Sequence, residues 1–248
     1  MKRFLKFLGY LALFLSAAGV AAYFYYDKPV PEGNSGPQAD ALAEKVLAAL
    51  NYADWDSTNY VTWSFLDSHH YVWNKRDNLV RVSWGGKEVI LSTDSPFEGA
   101  IVRPVNSAPA ENESATQDAW SYFCNDSFWL IAPYKLFDSG TSRSIVESAD
   151  GKESLMVTYS SGGVTPGDKY LWHLNGQYVP TSFQMWVNII PIGGLEATWE
   201  NWTETATGAK ISHTHSFSGL SLELTDIATG NSLTQLGLDS TLFDGFNY

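Results

Sequence analysis

Apolar residues recur with a period of two over most of the chain. Val61, Trp63 and Phe65 share one side of a segment whose other side is Thr62 and Ser64, the alternation of a half-buried strand. Val80, Val82 and Trp84 oppose Leu79, Arg81 and Ser83. Gly85-Gly86 then makes a two-residue hairpin turn, and Val89 and Leu91 continue the pattern. The same spacing predicts strands over 154–159, 169–174, 181–188, 196–203, 210–217 and 220–225, with turns at Asn175-Gly176 and Thr207-Gly208. Short strands at this spacing predict a meander. No helix alternates with them, which excludes a doubly wound α/β fold, and there is no internal repeat.

Two stretches change to a helical period. Ala39, Leu42, Val46 and Leu50 lie on one face of a helix predicted over 39–50, with Asp40, Glu44 and Lys45 off it. A second helix is predicted over 115–131. Ser114 followed by Gln117 reads as a capping box, Pro133 marks the end, and Trp120, Phe123, Cys124, Phe128 and Ile131 form a bulky apolar stripe. The predicted fold is mainly β with helices (α+β). It is a curved antiparallel sheet or open β-barrel covered by one or two helices, with 115–131 across the concave face, because its stripe is too apolar to leave in water. Residues 93–113, rich in proline and acid, are expected to be either a lid over an opening or a mobile surface loop.

The chain begins differently. Lys2, Arg3 and Lys6 precede an uncharged apolar run over 7–26. That run can cross a bilayer core of roughly 30 Å, and the flanking charge places the N-terminus in the cytoplasm. Small residues at Val20-Ala21-Ala22 favour a cleaved signal. The run's length and its close at Tyr23-Phe24-Tyr25-Tyr26 favour a permanent anchor with an interfacial aromatic belt. Residues 27–38, with Pro29, Pro31, Gly33, Gly36 and Pro37, read as a linker that isolates the domain mechanically. The expected organisation is a signal anchor or signal peptide over 1–26, a linker over 27–38 and one antiparallel β domain over 39–248. The expected location is the cell envelope, anchored in the inner membrane and facing the periplasm, or free in the periplasm if the signal is cleaved.

Composition narrows the functions. The 248 residues are 44% hydrophobic and only 17% charged, with 10 Trp, 13 Tyr and 13 Phe, which excludes intrinsic disorder. The single Cys excludes an intrachain disulfide framework and any cysteine-rich metal site. The formal net charge is −12; beyond the first 26 residues, 12 basic residues face 27 acidic ones, a formal −15. Such a domain repels phosphate backbones, so no nucleic-acid partner is expected.

Candidate chemistry is sparse. His213 and His215 fall on one strand face with Ile211 and Phe217. They could share a metal only with a third ligand, and hydrogen-bonded wall histidines are the simpler reading. His173 has the opposite parity to Trp172 and Leu174. His69-His70, beside Asp67, is expected to be a turn without a role. Asp54 and Asp56 flank Trp55, and Glu196 and Glu200 lie close to Trp199, an association seen in glycosidase clefts. There is no Gly-x-Ser-x-Gly elbow and no glycine-rich phosphate loop. Cys124, on the apolar stripe, reads as core. Asn112, Asn125 and Asn201 sit in Asn-x-Ser/Thr sequons, which matter only in a eukaryotic secretory pathway. No catalytic residue, metal or cofactor is expected.

Several segments carry a resemblance. They are Tyr71-Val72-Trp73, Val80-Arg81-Val82, the run from Phe128-Trp129-Leu130 to Tyr134-Lys135-Leu136, Tyr170-Leu171-Trp172-His173-Leu174, Tyr178-Val179-Pro180, Phe183-Gln184-Met185-Trp186, and the Ile190-Pro191-Ile192-Gly193-Gly194 bend before Trp199. Together with the order of elements, they resemble the LolA-like half-barrel of periplasmic lipoprotein carriers and uncharacterised envelope relatives, over roughly residues 40–225. The resemblance implies a binding or carrier protein that holds an acyl chain or other apolar ligand between a concave sheet and its covering helices. The residues that would line such a space here are Trp63, Trp84, Trp120, Phe123, Phe128, Trp172 and Trp199. The expected partners are thus a lipid-like ligand and, through the N-terminal helix, a membrane, with the domain a monomer. Aromatics at core spacing equally suit a solid core. The competing functions are a carbohydrate-binding or structural envelope module using exposed Trp, and a hydrolase.

Overall fold

The computed structural model describes residues 27–104, 108–161, 166–244 and 246, and before them Phe4, Lys6, Tyr10, Leu13, Phe14, Gly19 and 23–26. The spanning run expected over 7–26 thus lies largely outside the described residues. Among those described, no helix is long and apolar enough to cross a membrane.

The period-two segments pair into a sheet of fourteen strands in which every pairing is antiparallel. In chain order these are β1 Asn34–Ser35, β2 Tyr60–Phe65, β3 His69–Asn74, β4 Leu79–Trp84, β5 Lys87–Ser92, β6 Gly99–Arg103, β7 Thr141–Glu147, β8 Glu153–Tyr159, β9 Lys169–Leu174, β10 Pro180–Trp186, β11 Leu195–Thr198, β12 Glu200–Glu204, β13 Lys210–Phe217 and β14 Leu220–Gly230. The order across the sheet is β1-β7-β8-β9-β10-β11-β13-β14-β2-β3-β4-β5-β6, with β12 also on β13. The sheet is curved and does not close. β14 splices two halves: residues 220–223 pair with β13, and from Leu224 onward the strand pairs with β2, with a register shift between Thr225 and Ala228.

Among the described residues beyond position 26, three α-helices complete the fold: α1 Pro37–Ala49, α2 Tyr52–Ser57 and α3 Pro109–Ile131. α1 turns Ala39, Leu42, Ala43 and Val46 inward. α3 starts six residues before the predicted position. Pro109 opens it after Ala108, with no side-chain cap, because proline needs no N–H partner in the first turn. The Ser114/Gln117 capping box therefore lies inside the helix. The loop expected over 93–113 is largely structured as well, carrying β6 and the first turn of α3. Asn112 joins these two: its side-chain Nδ2 donates to the Gly99 carbonyl at 3.0 Å, and its Oδ1 accepts from Ile101 N at 2.6 Å. An amide side chain thus occupies the edge of β6, which would otherwise offer unpaired backbone. A Cβ on Gly99 would lie 2.4 Å from Thr116 Cγ2, so this glycine is what lets α3 sit so close to β6.

One apolar core fills the inner face. It runs from Leu42, Val46 and Leu50 through Val61, Trp63, Tyr71, Val80, Val82, Val89 and Leu91 to Leu155, Trp172, Phe183, Trp199 and Ile211, with α3 contributing Ala115, Ala119, Phe123 and Leu130. The buried stripe of α3 differs from the bulky one expected. Small residues, Ala115, Thr116 and Ala119, lead it toward the sheet, and Trp120 and Phe128 lie half-buried on its flanks. On the outer face, Leu79 and Ile90 are also buried, and Arg81 donates to the carbonyl of Leu242 in the C-terminal tail.

The linker is not free. Lys28 N donates to the Gly193 carbonyl at 3.0 Å, Gly193 N to Asp27 Oδ1 at 2.7 Å, and Trp186 Nε1 to the Lys28 carbonyl at 2.7 Å. Further on, β1 pairs with β7 at Ile145 and Ser144. The expected flexible tether is instead a strap fastened to the sheet.

Candidate functional site

The inner face holds the seven aromatics proposed from the sequence, six of them in two groups bridged by α3. Trp63 stacks on Tyr71 at 4.4 Å, Phe123 lies against Trp63, Tyr71 and Trp73, and Trp120 lies 6.0 Å from Phe123. One turn further along α3, Phe128 meets Tyr170, Trp172, Phe183 and Trp199 between 4.7 and 6.5 Å. Trp172 and Trp199 lie 5.7 Å apart in this second group. Trp84 belongs to neither group; it meets Tyr122 edge-on at 5.5 Å. Trp63, Phe123, Trp172 and Trp199 are buried, and Trp84, Trp120 and Phe128 are half-buried.

These groups pack against one another. Two open hollows on the described residues lie elsewhere: one of about 400 Å³ beside Asn74, Asp77, Leu233 and Phe243, and one of about 290 Å³ beside Val30, Lys169 and Trp186. The inner wall still carries an unusual feature for a packed core. The indole Nε1 atoms of Trp63, Trp73, Trp172 and Trp199 are buried and have no hydrogen-bond partner among the described residues, and the same holds for Tyr159 Oη, Thr116 Oγ1 and His215 Nε2. Native interiors leave few such groups, and each asks for an explanation.

A polar site sits between α3 and β3. Asp126, buried on the inner side of α3, accepts from Tyr71 Oη at 2.5 Å and pairs with His69 Nδ1 at 2.7 Å, both through Oδ2. Tyr122 stacks on the His69 ring at 4.1 Å. Burial raises the Asp126 carboxyl pKa, against the hydrogen bonds from Tyr71 and His69 that favour its charged form. Burial and the neighbouring Asp126 also push the Tyr71 hydroxyl pKa upward. His69 thus meets the carboxyl group through Nδ1, with its ring held between Asp126 and Tyr122. The turn expected at His69-His70 is therefore the start of β3. His69 shares the inner face with Tyr71 and Trp73, a parity readable in the sequence once that strand is recognised.

The other candidates separate. On the outer face, Ser64 Oγ donates to Asp226 Oδ2 at 2.8 Å and lies 2.7 Å from His70 Nδ1. A serine, a histidine and an aspartate meet here, but the aspartate holds the serine rather than the histidine. The serine proton is already committed, so the arrangement is not that of an activated nucleophile. His213 pairs with Thr203 Oγ1 at 2.6 Å on a half-exposed surface, whereas His215 is fully buried with Nδ1 2.9 Å from the Thr198 carbonyl. No three metal-ligating side chains converge among the described residues. Glu196 accepts from Ser182, and Glu200 from Thr198 and Ser216. Those bonds hold the Glu200 carboxyl pKa below its usual value, the opposite of what a general acid needs. Cys124 has its thiol pKa pushed up to about 12 by burial, as inert core requires. None of the ten Trp, all of which are described, is exposed, so the surface offers no row of indoles for a sugar.

No family model matches the chain, and no curated protein sequence matches it.

Proposed function

We propose that the protein is a membrane-tethered, extracytoplasmic binding protein whose ligand is an amphiphile: an acyl or comparable apolar chain bearing oxygen acceptors, taken up between the curved sheet and α3. The observation that carries this reading is the set of buried, unpartnered indole N–H groups of Trp63, Trp73, Trp172 and Trp199 in an otherwise apolar wall. Leaving a buried donor unsatisfied costs about 1–3 kcal/mol. A ligand with ester or carbonyl oxygens recovers part of that cost while its chain replaces aromatic contacts. Steroid-like or hydrocarbon ligands without acceptors would not.

The unclosed sheet supports the same reading, because β1 and β6 stand at opposite ends of the strand order and α3 can move without breaking a ladder. So does the resemblance to half-barrel lipoprotein carriers. The run over 7–26 serves as the anchor. The test is native mass spectrometry of the full chain after gentle extraction, together with titration of a fluorescent fatty acid. A co-purified lipid, or saturable binding that Phe128→Asp abolishes while the fold is retained, is the expected result. A chain that carries no lipid and binds no fatty acid or phospholipid refutes the reading.

A further inference from the structure

One end of the sheet gathers the exposed aliphatic side chains. The strand register places the β2–β3 turn, the β10–β11 loop and the β13–β14 turn at the same end: Met185 pairs with Leu195, Ala197 with Phe217, Phe217 with Leu220, and Leu224 with Phe65. Each of these connections carries a large apolar residue turned to solvent. Leu66 is 57% exposed, Ile189 70% and Leu220 72%. Leu66 is moreover held at a φ of 49°, a conformation that costs a branched side chain energy.

The strap arrives at this same end. Asp27 and Lys28 are bonded to Gly193 and Trp186, at the base of the loop that carries Ile189, Ile190, Pro191 and Ile192. A Cβ on Gly193 would fall 2.4 Å from Trp186 Cδ1 and 2.9 Å from the Lys28 carbonyl, so the joint is built for close contact. Asp27 N also donates to the Tyr23 carbonyl at 2.8 Å, which continues the helical turn of 23–26 into the strap. Phe24, Tyr25, Tyr26 and Val30 are themselves exposed here. Ile189 is four residues from Gly193, hence within about 14 Å of it along the chain.

We propose that this end of the sheet is a second membrane contact: Leu66, Ile189 and Leu220 enter the interfacial layer of the bilayer in which 7–26 is anchored, and the strap sets the domain's orientation on that surface. The inference rests on the anchor proposed above. If 7–26 spans, Asp27 lies at the headgroup level, and a loop clamped to it shares that level. Single exposed aliphatic residues need no explanation, but three on neighbouring connections at the anchored end form one face. The partner is a lipid surface rather than another protein, because the anchor brings that surface within reach at all times.

The experiment uses the full chain in phosphatidylcholine vesicles, with Cys124→Ala as background and a fluorophore on Ile189→Cys, Leu220→Cys or Gln177→Cys. Gln177 is exposed in the turn at the far end of β10, about 20 Å away. A nitroxide lipid labelled near the headgroup is the quencher. Quenching several-fold stronger at 189 and at 220 than at 177 is expected. Equal quenching at 177 and at either of the other two positions overturns the proposal while leaving the anchor in place. A chain that an alkaline wash strips from the vesicles overturns the anchor and the contact together.

Discussion

Acid should unfold this domain through His215. The ring is fully buried, 4.5 Å from Trp199 and 5.2 Å from Trp129. Burial draws its pKa from 6.5 down to about 4, outweighing the hydrogen bond to the Thr198 carbonyl and the attraction of Glu200. The folded protein keeps a neutral imidazole where the unfolded chain takes up a proton. This contribution to stability is therefore complete above pH 6.5 and is lost as pH falls from 6.5 toward 4. At 1.36 kcal/mol per pH unit, the loss between pH 7.5 and pH 4 comes to about 3 kcal/mol. His173 and His213, both also lowered chiefly by burial, act in the same direction. Asp126 acts in the opposite one, since a raised carboxyl pKa gains stability as pH falls toward 3.8. Comparison with His215→Gln isolates the single ring, because the other groups remain. Urea titrations of both proteins at pH 7.5 and pH 4 measure it. The native protein should lose about 3 kcal/mol more than the variant, or a little over 1 M in midpoint for a slope of roughly 2–3 kcal/mol/M. Equal losses in the two proteins would refute the reasoning.

Three further outcomes follow from the packing. Phe123→Ala, at the centre of the first aromatic group, should cost about 3–5 kcal/mol in urea unfolding; a loss under about 1 kcal/mol would mean that α3 does not hold the sheet. Gly99→Ala should cost about 1–3 kcal/mol by overpacking against Thr116, and Thr116→Ala should restore most of it; an unrelieved double variant would place the strain elsewhere. Asp126→Leu should cost about 2–3 kcal/mol more than Asp126→Asn, because it strips both Tyr71 and His69 of their acceptor inside the protein. Thermal melts showing the two variants alike would contradict that.

The strands that alternate cleanly were readable from the sequence, because one face of each meets the core and the other meets water. β4, β9 and β13 lie on their predicted bounds, and β8 within a residue of them. β7 was not readable: its residues are nearly all half-buried, and its inner face carries Arg143, paired with Asp40 of α1, beside Ile145, so no clean alternation results. β3 was hidden by two histidines that find partners on opposite faces, His69 with Asp126 and His70 with Ser64. The predicted strand over 196–203 is interrupted at Trp199: its N–H still donates to the Thr181 carbonyl of β10, but on the other side Ser216 N bonds to the Thr198 side chain at 2.7 Å rather than to a backbone carbonyl. The inward aromatics were legible for the same reason as the strands. Asp126 was legible in principle, because it continues the inner stripe of Ala119 and Phe123 at helical spacing, and a carboxylate at a core position demands partners. What no pattern along the chain could give is which partners those are, because Tyr71 and His69 arrive from a strand more than fifty residues away.

The splice made by β14 governs the order in which the chain can become safe. Strands β2 to β6 are joined by local hairpins and can assemble as soon as they are made, but the outer edge of β2 waits for Leu224–Gly230, some 160 residues later. Contacts so distant in sequence form slowly, and a chain that emerges from its N-terminus holds that edge bare through the whole interval. An open strand edge is a template for pairing with other chains. Loss of β14 would therefore do more than remove one strand: it would leave two half-sheets, each with a raw edge, so truncation before 220 should yield aggregates rather than a smaller folded protein.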